Sequence, residues 1–529
     1  MKLRYLLPLA GVLCTFLTAH AQPSPARQAF YEGACRISPR TMLCYETPLA
    51  PLAAYLREYI NVETASDSMS ADDAIVLSTD PTLGGEAFRL TVLPQRIEIA
   101  GGSYGGVFNG VQALFRLLPA EIYAKNCPLP VEIACTKVED APRFPYRGMM
   151  LDVARTWIDA AGVKRYIDLL SYHGINKLHL HLSDDEGWHI EIRSHPELTE
   201  IGGFRGGDSP VRPVYGKWDE KYGGYYTQDE MRGLIRYAAA RNIEIIPEID
   251  LPGHSRNIAS VHPEIRCNYP PDTVSTNGYD YRSAWCVARE ENYALLGDIL
   301  GELCELFPSE YIHVGGDEVD MSQWERCPDC RALMKREGMT DPHRLEDLFM
   351  ERMAAILRSH GKRPAVWNEA VRTGAFAREC RVHGWESVKA CLDATAKGYR
   401  TVVMPGQYFY FDMRQSLHED GHDWAAIFDV RKTYSFDFAR CGFTPAQEAN
   451  VLGVEGAFFS ELYVSHNPEI PDYLDYMTFP RACALAELGW SEGVREWTEF
   501  YRRLRSHYDR MGAQGIHFRL MPPRVSYKD

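Results

Sequence analysis

The pattern of apolar and polar positions changes near residue 145. Before it, short apolar segments rich in β-branched residues predict strands at 74–78, 88–93 and 96–100. The segment 107–118 has the apolar spacing of a helix that packs on that sheet. Residues 22–141 are therefore expected to form a small α+β domain, with prolines at 142 and 145 marking its end.

From residue 146 onward, short apolar segments alternate with amphipathic ones of helical period. Strands are predicted at 147–152, 177–182, 243–249, 310–315, 364–367, 379–383, 401–404 and 452–457. Helices are predicted between most of them, for example at 163–173, 228–241, 292–307 and 343–360. This α/β pattern predicts a (β/α)₈ TIM barrel over 142–529 with a C-terminal helical segment. An open doubly wound sheet would need a Gly-rich turn after the first strand, and Leu151-Asp152-Val153-Ala154 offers none.

Residues 1–21 predict a cleaved signal peptide. Lys2 and Arg4 are basic, 6–17 is apolar, and Ala19-His20-Ala21 is a small-x-small cleavage site. A secreted or periplasmic protein is therefore expected. The apolar run is too short to span a membrane, and no later segment is long enough. The formal net charge of −15 argues against nucleic acid or an anionic membrane surface as the main partner.

Thirteen cysteines follow residue 21, an odd number, so at least one is free or pairs between chains. Cys327-Pro328-Asp329-Cys330 is a candidate for a local disulfide in an oxidising compartment. A CxxC pair with no second such pair is weak evidence for zinc. Neither a metal nor a cofactor is predicted.

A (β/α)₈ barrel carries its chemistry at the C-terminal ends of its strands. Acids, amides and aromatic rings follow nearly every predicted strand here. In chain order they include Asp184, Asp250, His254, Asp317, Glu318, Trp367, Trp385, Tyr410, Asp412, Phe459 and Glu461. Carboxylates bond hydroxyls and rings cover sugar faces, so this rim predicts a carbohydrate pocket.

The stretch Tyr311–Val319 carries the most specific chemistry. A short apolar strand ends in two glycines and then in the adjacent carboxylates of Asp317 and Glu318. Acids at the mouth of a buried strand lose hydration, which marks a functional site. Neighbours in sequence diverge as they leave a strand, so they can hardly flank one anomeric carbon as paired glycosidase carboxyls do. One can protonate the leaving oxygen while the other acts on a different part of the sugar, an arrangement that suits a substrate with its own nucleophile, a 2-acetamido oxygen.

Two other functions fit parts of the pattern. His179 and His181 share one face of a strand and would suit a metal-dependent amidohydrolase or deacetylase. The ends of strands five, six and eight supply Trp, Trp and Phe rather than further His ligands, so packing inside the barrel is favoured for His179. A non-catalytic carbohydrate-binding protein explains the aromatic residues but not the adjacent carboxylates. Ion pairs that close the loops are an equal alternative for Arg155, Asp184 and Asp250.

The motifs resemble glycoside hydrolase family 20, the β-N-acetylhexosaminidases. The matching stretches are RGMMLDVART (147–156), NKLHLHLSDDEGWHIEI (176–192), PEIDLPGH (247–254) and FPSEYIHVGGDEV (307–319), while 84–119 resembles the family's small N-terminal domain. The resemblance covers nearly the whole chain after residue 21. It implies an exo-acting retaining enzyme that hydrolyses terminal non-reducing β-linked GlcNAc or GalNAc by substrate-assisted catalysis and needs no metal.

The resemblance also implies roles for individual residues. Glu318 would be the general acid/base, Asp317 would orient the acetamido N–H and stabilise an oxazolinium ion, and Tyr410 would bond the acetamido carbonyl. A raised pKa is expected for Glu318, because a Trp-lined pocket and a second carboxylate both disfavour its ionised form. Arg155 and Glu461 would bond hydroxyls of the sugar, and Asp412 would lie beside Tyr410. Asp184 and His254 would support the acid/base. The walls of the pocket would be Trp367 and Trp385, with Trp424 at its rim.

Phe459 departs from the family pattern. In VEGAFFSE (454–461), Phe459 stands where the family usually has Trp. Phe keeps an apolar face but has less area and no N–H donor. We expect weaker stacking on the sugar at this position, or room for a modified sugar.

Overall fold

The computed structural model describes residues 23, 25–66, 69, 72–125, 127–267, 284–376, 378–465 and 470–521. The predicted signal peptide, 1–21, lies outside these residues. Across the described ranges, no helix combines the length and the apolar character that a membrane crossing requires.

The N-terminal part is a seven-stranded mixed sheet. Its strands are Arg27–Ile37 (β1), Met42–Tyr45 (β2), Glu63–Ser66 (β3), Ala74–Thr79 (β4), Phe88–Leu93 (β5), Arg96–Gly101 (β6) and Val131–Asp140 (β7). They lie in the order β1-β7-β5-β6-β4-β2-β3. The helices Ala50–Tyr59 and Tyr104–Leu117 share one apolar core with the sheet, so the predicted α+β domain is confirmed.

Eight parallel strands then close into a barrel, which confirms the predicted fold. Barrel strands one to eight are Tyr146–Asp152, Lys177–His181, Glu244–Leu251, Tyr311–Gly315, Arg363–Trp367, Arg381–Gly384, Arg400–Val403 and Val451–Phe458. Strand eight pairs with strand one from Gly453 opposite Tyr146 onward, and this pairing closes the ring.

Helices cover the outside of the barrel and form the C-terminal segment. The longer ones are Ala160–Tyr172, Gln228–Ala239, Glu290–Leu306, Pro328–Arg336, His343–Ser359, Val388–Ala396, Ile470–Thr478, Arg481–Trp490 and Trp497–Ala513. Local sequence explains where the helix Gln228–Ala239 begins. Thr227 and Glu230 form a capping box at the second of these helices, which then buries Met231 and Leu234.

The interior of the barrel contains ionisable side chains. His179 lies there fully buried, 2.9 Å from Glu455 through Nδ1 and 3.1 Å from Glu248 through Nε2. Burial alone would lower the pKa of His179, but the two carboxylates outweigh burial and raise the pKa to about 9. His179 therefore packs in the barrel, as the sequence favours.

The cysteines form no disulfide within the described residues. The candidate local disulfide between Cys327 and Cys330 is therefore wrong. Cys327 caps the helix Pro328–Arg336 and Cys330 lies in its first turn, so both side chains face the same neighbouring loop. There the Cys330 sulfur lies 3.8 Å from that of Cys267 and 3.7 Å from that of Cys286.

Candidate active site

A cavity of about 390 Å³ lies at the C-terminal ends of the barrel strands. It is lined by Arg155, Tyr215, His254, Asp317, Glu318, Trp385, Tyr410, Asp412, His422, Trp424, Phe459 and Glu461. Of the residues that the sequence placed at this rim, all are in this set except Asp184, Asp250 and Trp367. The barrel therefore brings together side chains that are up to three hundred positions apart in the chain.

The glycines after strand four position the two carboxylates. Gly315 and Gly316 have φ of +70° and +95°, and a Cβ on Gly315 would lie 1.9 Å from Asp250 Oδ1. Only glycine allows this backbone path at no steric cost. Glu318 itself has φ +49°, and His254 has φ +45°. Left-handed backbone at two non-glycine residues of one cavity is strain of the kind that functional sites retain.

Asp317 and Glu318 lie in different surroundings although they are neighbours. The Asp317 side chain is 13% exposed, whereas that of Glu318 is 52% exposed. Burial, followed by the nearby carboxylate of Asp250, raises the pKa of Asp317 well above its ordinary value. The hydrogen bond from His254 Nε2, at 3.4 Å, is the main reason that the pKa of Glu318 is lowered.

The expectation of a raised pKa at Glu318 is therefore wrong for the protein without substrate. Glu318 is too exposed for burial to dominate, and its nearest partner is a cation. Burial alone would lower the pKa of His254, but the carboxylates of Asp184 and Asp317 raise it well above its ordinary value. An imidazolium facing Glu318 favours the ionised carboxylate.

Asp184 supports the cavity from behind. It is 2% exposed, and its Oδ2 lies 2.7 Å from the Arg155 guanidinium, 3.0 Å from His181 Nε2 and 3.4 Å from His254 Nδ1. Burial would raise the pKa of Asp184, yet Arg155 and His254 hold it well below its ordinary value. Asp184 therefore fixes two residues that do line the cavity and does not face the cavity itself.

Opposite the carboxylate pair, a second polar group lines the cavity. Glu461 lies 3.6 Å from His422 Nε2, and Arg155 and His422 lower its pKa against the effect of burial. Burial and the charge of Glu461 raise the pKa of Asp412 to about 7. Within the described part of the chain, Asp412 Oδ1 is buried and accepts no hydrogen bond, and buried Glu461 Oε2 has the long His422 contact alone. These oxygens can accept hydrogen bonds from hydroxyls of a ligand.

Aromatic rings form the remaining walls. Trp385 stacks on Tyr410 with ring centroids 6.0 Å apart, and Trp424 stands at 79° to Trp385. Phe459 packs 5.2 Å from Tyr410 on one side and 5.2 Å from the Arg155 guanidinium on the other. Such flat apolar faces at right angles can cover the faces of a pyranose ring.

Trp367 does not reach the cavity. It is 1% exposed and points into the barrel, where its ring lies 4.6 Å from that of His313 and 5.6 Å from that of His179. As the last residue of strand five, it follows the inward side of the pleat with Ala365. The implied role of Trp367 as a wall is replaced by packing within the barrel interior.

Three residues of the site were not assigned a role from the sequence. Tyr215 and His422 line the cavity from long loops that carry no recognisable pattern. Glu369 accepts hydrogen bonds from Trp385 Nε1 at 2.7 Å and from the backbone N–H of Glu318 at 3.3 Å. Glu369 follows the end of strand five, which is the signal that could have included it. Asp250, which the sequence placed at this rim, lies near the end of strand three and contributes to the raised pKa of Asp317.

Comparisons with known proteins agree with this geometry. The catalytic domain of glycosyl hydrolase family 20 matches residues 144–493, and domain 2 of that family matches 21–141. A beta-hexosaminidase of Vibrio furnissii is 37% identical over 80% of this chain and 68% of its own. One from Akkermansia muciniphila is 32% identical over 88% of this chain and 92% of its own.

Among solved structures, this chain is similar to the GH20 exo beta-N-acetylglucosaminidase of Vibrio harveyi in complex with N-acetylglucosamine. The TM-score is 0.86 at 33% identity, over 95% of this chain and 78% of the other. The match of the family's catalytic domain spans more than half of the chain. The protein belongs to glycosyl hydrolase family 20.

Proposed function

We propose that this chain is an exo-acting β-N-acetylhexosaminidase. It hydrolyses terminal non-reducing β-linked GlcNAc or GalNAc from oligosaccharides or glycoconjugates, with retention of configuration. The observation that carries the proposal is the pairing of Asp317 with Glu318 in one cavity walled by Trp385 and Tyr410. Membership of family 20 and the hexosaminidase names of its relatives support it.

Each reactive residue has a distinct role in this proposal. Glu318 protonates the glycosidic oxygen and then removes a proton from the attacking water. Asp317 accepts a hydrogen bond from the acetamido N–H and stabilises the positive charge of the oxazolinium ion. The Tyr410 hydroxyl donates a hydrogen bond to the acetamido oxygen, which attacks the anomeric carbon. The enzyme therefore needs no second carboxylate as a nucleophile, which is consistent with the adjacency of the two acids.

Substrate binding would redistribute one proton between the two acids. In the protein alone, the pKa of Asp317 is raised and the pKa of Glu318 is lowered. An acetamido N–H that reaches Asp317 favours its anion, because hydrogen bonding to the charged form lowers a pKa. A sugar that covers the exposed half of Glu318 removes water and favours its acid form. The bound complex would then hold the proton on Glu318, where the leaving oxygen needs it.

The size of the cavity supports action at a chain end. A volume of about 390 Å³ is at the small end of ligand pockets and suits one sugar residue. Arg155, Glu461 and Asp412 would hold the hydroxyls of that sugar, and Phe459 and Trp424 would cover its faces. His254 and Asp184 would hold Glu318 in place through the contacts described above.

The two alternative functions are not favoured. A metal-dependent amidohydrolase would need His179 and His181 to face a cavity, and both are buried among barrel carboxylates. A non-catalytic sugar-binding protein has no need for a strained Glu318 beside a buried Asp317. Affinity for the sugar without turnover would favour the binding protein.

A proton NMR time course on an aryl β-GlcNAc substrate and on an oligosaccharide tests the proposal. We expect the β-anomer of the free sugar to appear first and single sugars to leave from the non-reducing end. The matching β-GalNAc substrate shows whether both sugars are accepted. First appearance of the α-anomer, or release of internal fragments, would reject the proposal.

We also propose that the chain is exported to the periplasm or secreted, on the pattern of residues 1–21. N-terminal sequencing of protein from cell fractions tests this. A first residue of Gln22 in the exported fraction is expected, and full-length protein retained in the cytoplasm would contradict it.

A further inference from the structure

Four cysteine side chains converge at one point outside the active site. Cys286, Cys327 and Cys330 are fully buried, and Cys267 is half-buried beside them. The four sulfur atoms all lie within 4.8 Å of one another. The measured sulfur–sulfur distances are 3.8 Å for Cys267–Cys330, 4.0 Å for Cys286–Cys327 and 3.7 Å for Cys286–Cys330.

These distances match a metal tetrahedron. Zinc binds thiolates at about 2.3 Å, so the edges of a tetrahedral four-sulfur site are about 3.8 Å long. A disulfide instead requires two sulfurs about 2.05 Å apart. The three distances above are nearly equal, so no pair of the four sulfurs stands out as a disulfide. Four thiolate donors in tetrahedral array are typical of zinc or of iron–sulfur centres, and a closed four-cysteine site is a common structural zinc arrangement.

Local backbone structure places the four cysteines where they can bind one metal ion. Cys327 caps the helix Pro328–Arg336, and Cys330 lies in its first turn. A CxxC pair at a helix N-terminus favours the thiolate form that binds a metal. The other two cysteines are joined by a β-bridge between Arg266 and Trp285, which brings Cys267 next to Cys286. Two sulfurs therefore come from the residues that follow the bridge partners, and two come from the start of the helix.

We propose that Cys267, Cys286, Cys327 and Cys330 bind one structural Zn²⁺ ion. The ion joins the loop after barrel strand three to the loop after strand four. Its full complement of protein ligands leaves no open position for chemistry, so its role is to hold structure. The proposal concerns a site separate from the sugar cavity and stands whether or not the glycosidase activity is found.

The proposed ion would hold the two loops that carry the active site. Trp324 donates from Nε1 to the carbonyl of Trp285 at 2.9 Å. Trp285 donates from Nε1 to Ser255 Oγ at 3.0 Å, and Ser255 directly follows His254. The second loop begins at Asp317 and Glu318. Loss of the ion would therefore loosen the position of His254 relative to Glu318 as well as the fold.

Metal analysis of the full-length protein tests the proposal. Protein purified without chelator or metal-affinity tag should contain about one zinc per chain, as measured by inductively coupled plasma mass spectrometry. Cys330→Ser should lose most of it, while Cys304→Ala, a matched change at a buried cysteine of the helix Glu290–Leu306, should keep it. Chelation should lower the melting temperature by about 5 °C or more, and Zn²⁺ but not Mg²⁺ should restore it.

Thiol mapping of the wild-type protein decides the matter if Cys330→Ser fails to fold. We expect all four cysteines to be alkylated only after denaturation with chelator, and none to be found in a disulfide-linked peptide. Two disulfides among the four, or a zinc content below about one-tenth per chain, would overturn the proposal. Zinc retained in full by folded Cys330→Ser would overturn it as well.

Discussion

Replacing Glu318 with Gln should lower kcat/KM, and the loss should be larger for a leaving group that departs only when it is protonated. Glu318→Gln keeps the size of the side chain but cannot transfer a proton. The natural test substrate is a disaccharide of β-linked GlcNAc, whose leaving oxygen departs as a poor anion unless it is protonated. The contrasting substrate is 2,4-dinitrophenyl β-GlcNAc, whose leaving group departs unaided.

The structure sets the size of the effect. General acids contribute about 10²- to 10⁴-fold to a rate. His254 is the nearest alternative donor, but its pKa is raised well above its ordinary value, so it gives up its proton reluctantly. The loss of kcat/KM on the disaccharide should therefore lie near the upper end, about 10³- to 10⁴-fold, or about 4 to 5 kcal/mol of activation free energy. On the dinitrophenyl substrate the loss of kcat/KM should stay below about tenfold.

The assay compares kcat/KM for both substrates in wild type, Glu318→Gln and Glu310→Gln. Glu310 precedes the same strand at its other end, is 59% exposed and pairs only with Arg363 in the described structure, so its variant is a matched control. Half-exposure of Glu318 predicts that the free energy of unfolding changes by about 0.5 kcal/mol or less. An equal loss on both substrates, or near-normal cleavage of the disaccharide, would refute the assignment of Glu318 as the acid.

Three further predictions use different readouts. Asp317→Asn should lower kcat/KM by a similar factor on both substrates, since Asp317 acts on the acetamido group; a loss confined to the disaccharide would contradict this. Arg155→Met removes the guanidinium that pairs with the buried carboxylates of Asp152 and Asp184, so urea unfolding should show a loss of about 3 to 5 kcal/mol; unchanged stability would show that other groups compensate fully. The pKa of His179 is raised in the folded state, so its contribution to stability is complete below its ordinary pKa and disappears as pH rises to about 9. Wild type should therefore lose stability between pH 6.5 and pH 9 more steeply than His179→Gln, and equal slopes would argue against it.

The fold was predictable because it depends on patterns that repeat. Each barrel strand is a short apolar run between amphipathic helices, and that alternation favours a (β/α)₈ barrel because no Gly-rich turn of an open doubly wound sheet follows the first strand. The rule that chemistry follows strand ends then located most of the cavity. Asp317, Tyr410 and Glu461 are far apart in the chain, and only the closed ring brings them together.

The remaining features depend on three-dimensional surroundings that no local pattern encodes. Trp367 is the last residue of its strand, whereas Trp385 follows its strand, and the pleat turns the Trp367 ring into the barrel. The pKa of Glu318 depends on which side chain contacts its carboxylate. His254, in the loop after strand three, makes that contact, and no local pattern in the sequence encodes it. Cys267 and Cys286 lie too far from the CxxC pair in sequence to be read as one site, so only the fold reveals the cluster.

The central claim is that the sugar's own acetamido oxygen is the nucleophile. The direct measurement is kcat/KM of the wild-type protein across aryl glycosides whose 2-N-acyl group carries zero, one, two or three fluorine atoms. Fluorine makes the acyl oxygen a poorer nucleophile while it hardly changes the size of the group. The account predicts a steep stepwise fall along the series, whereas a flat series, or a trapped ester between a carboxylate and the sugar, would contradict it.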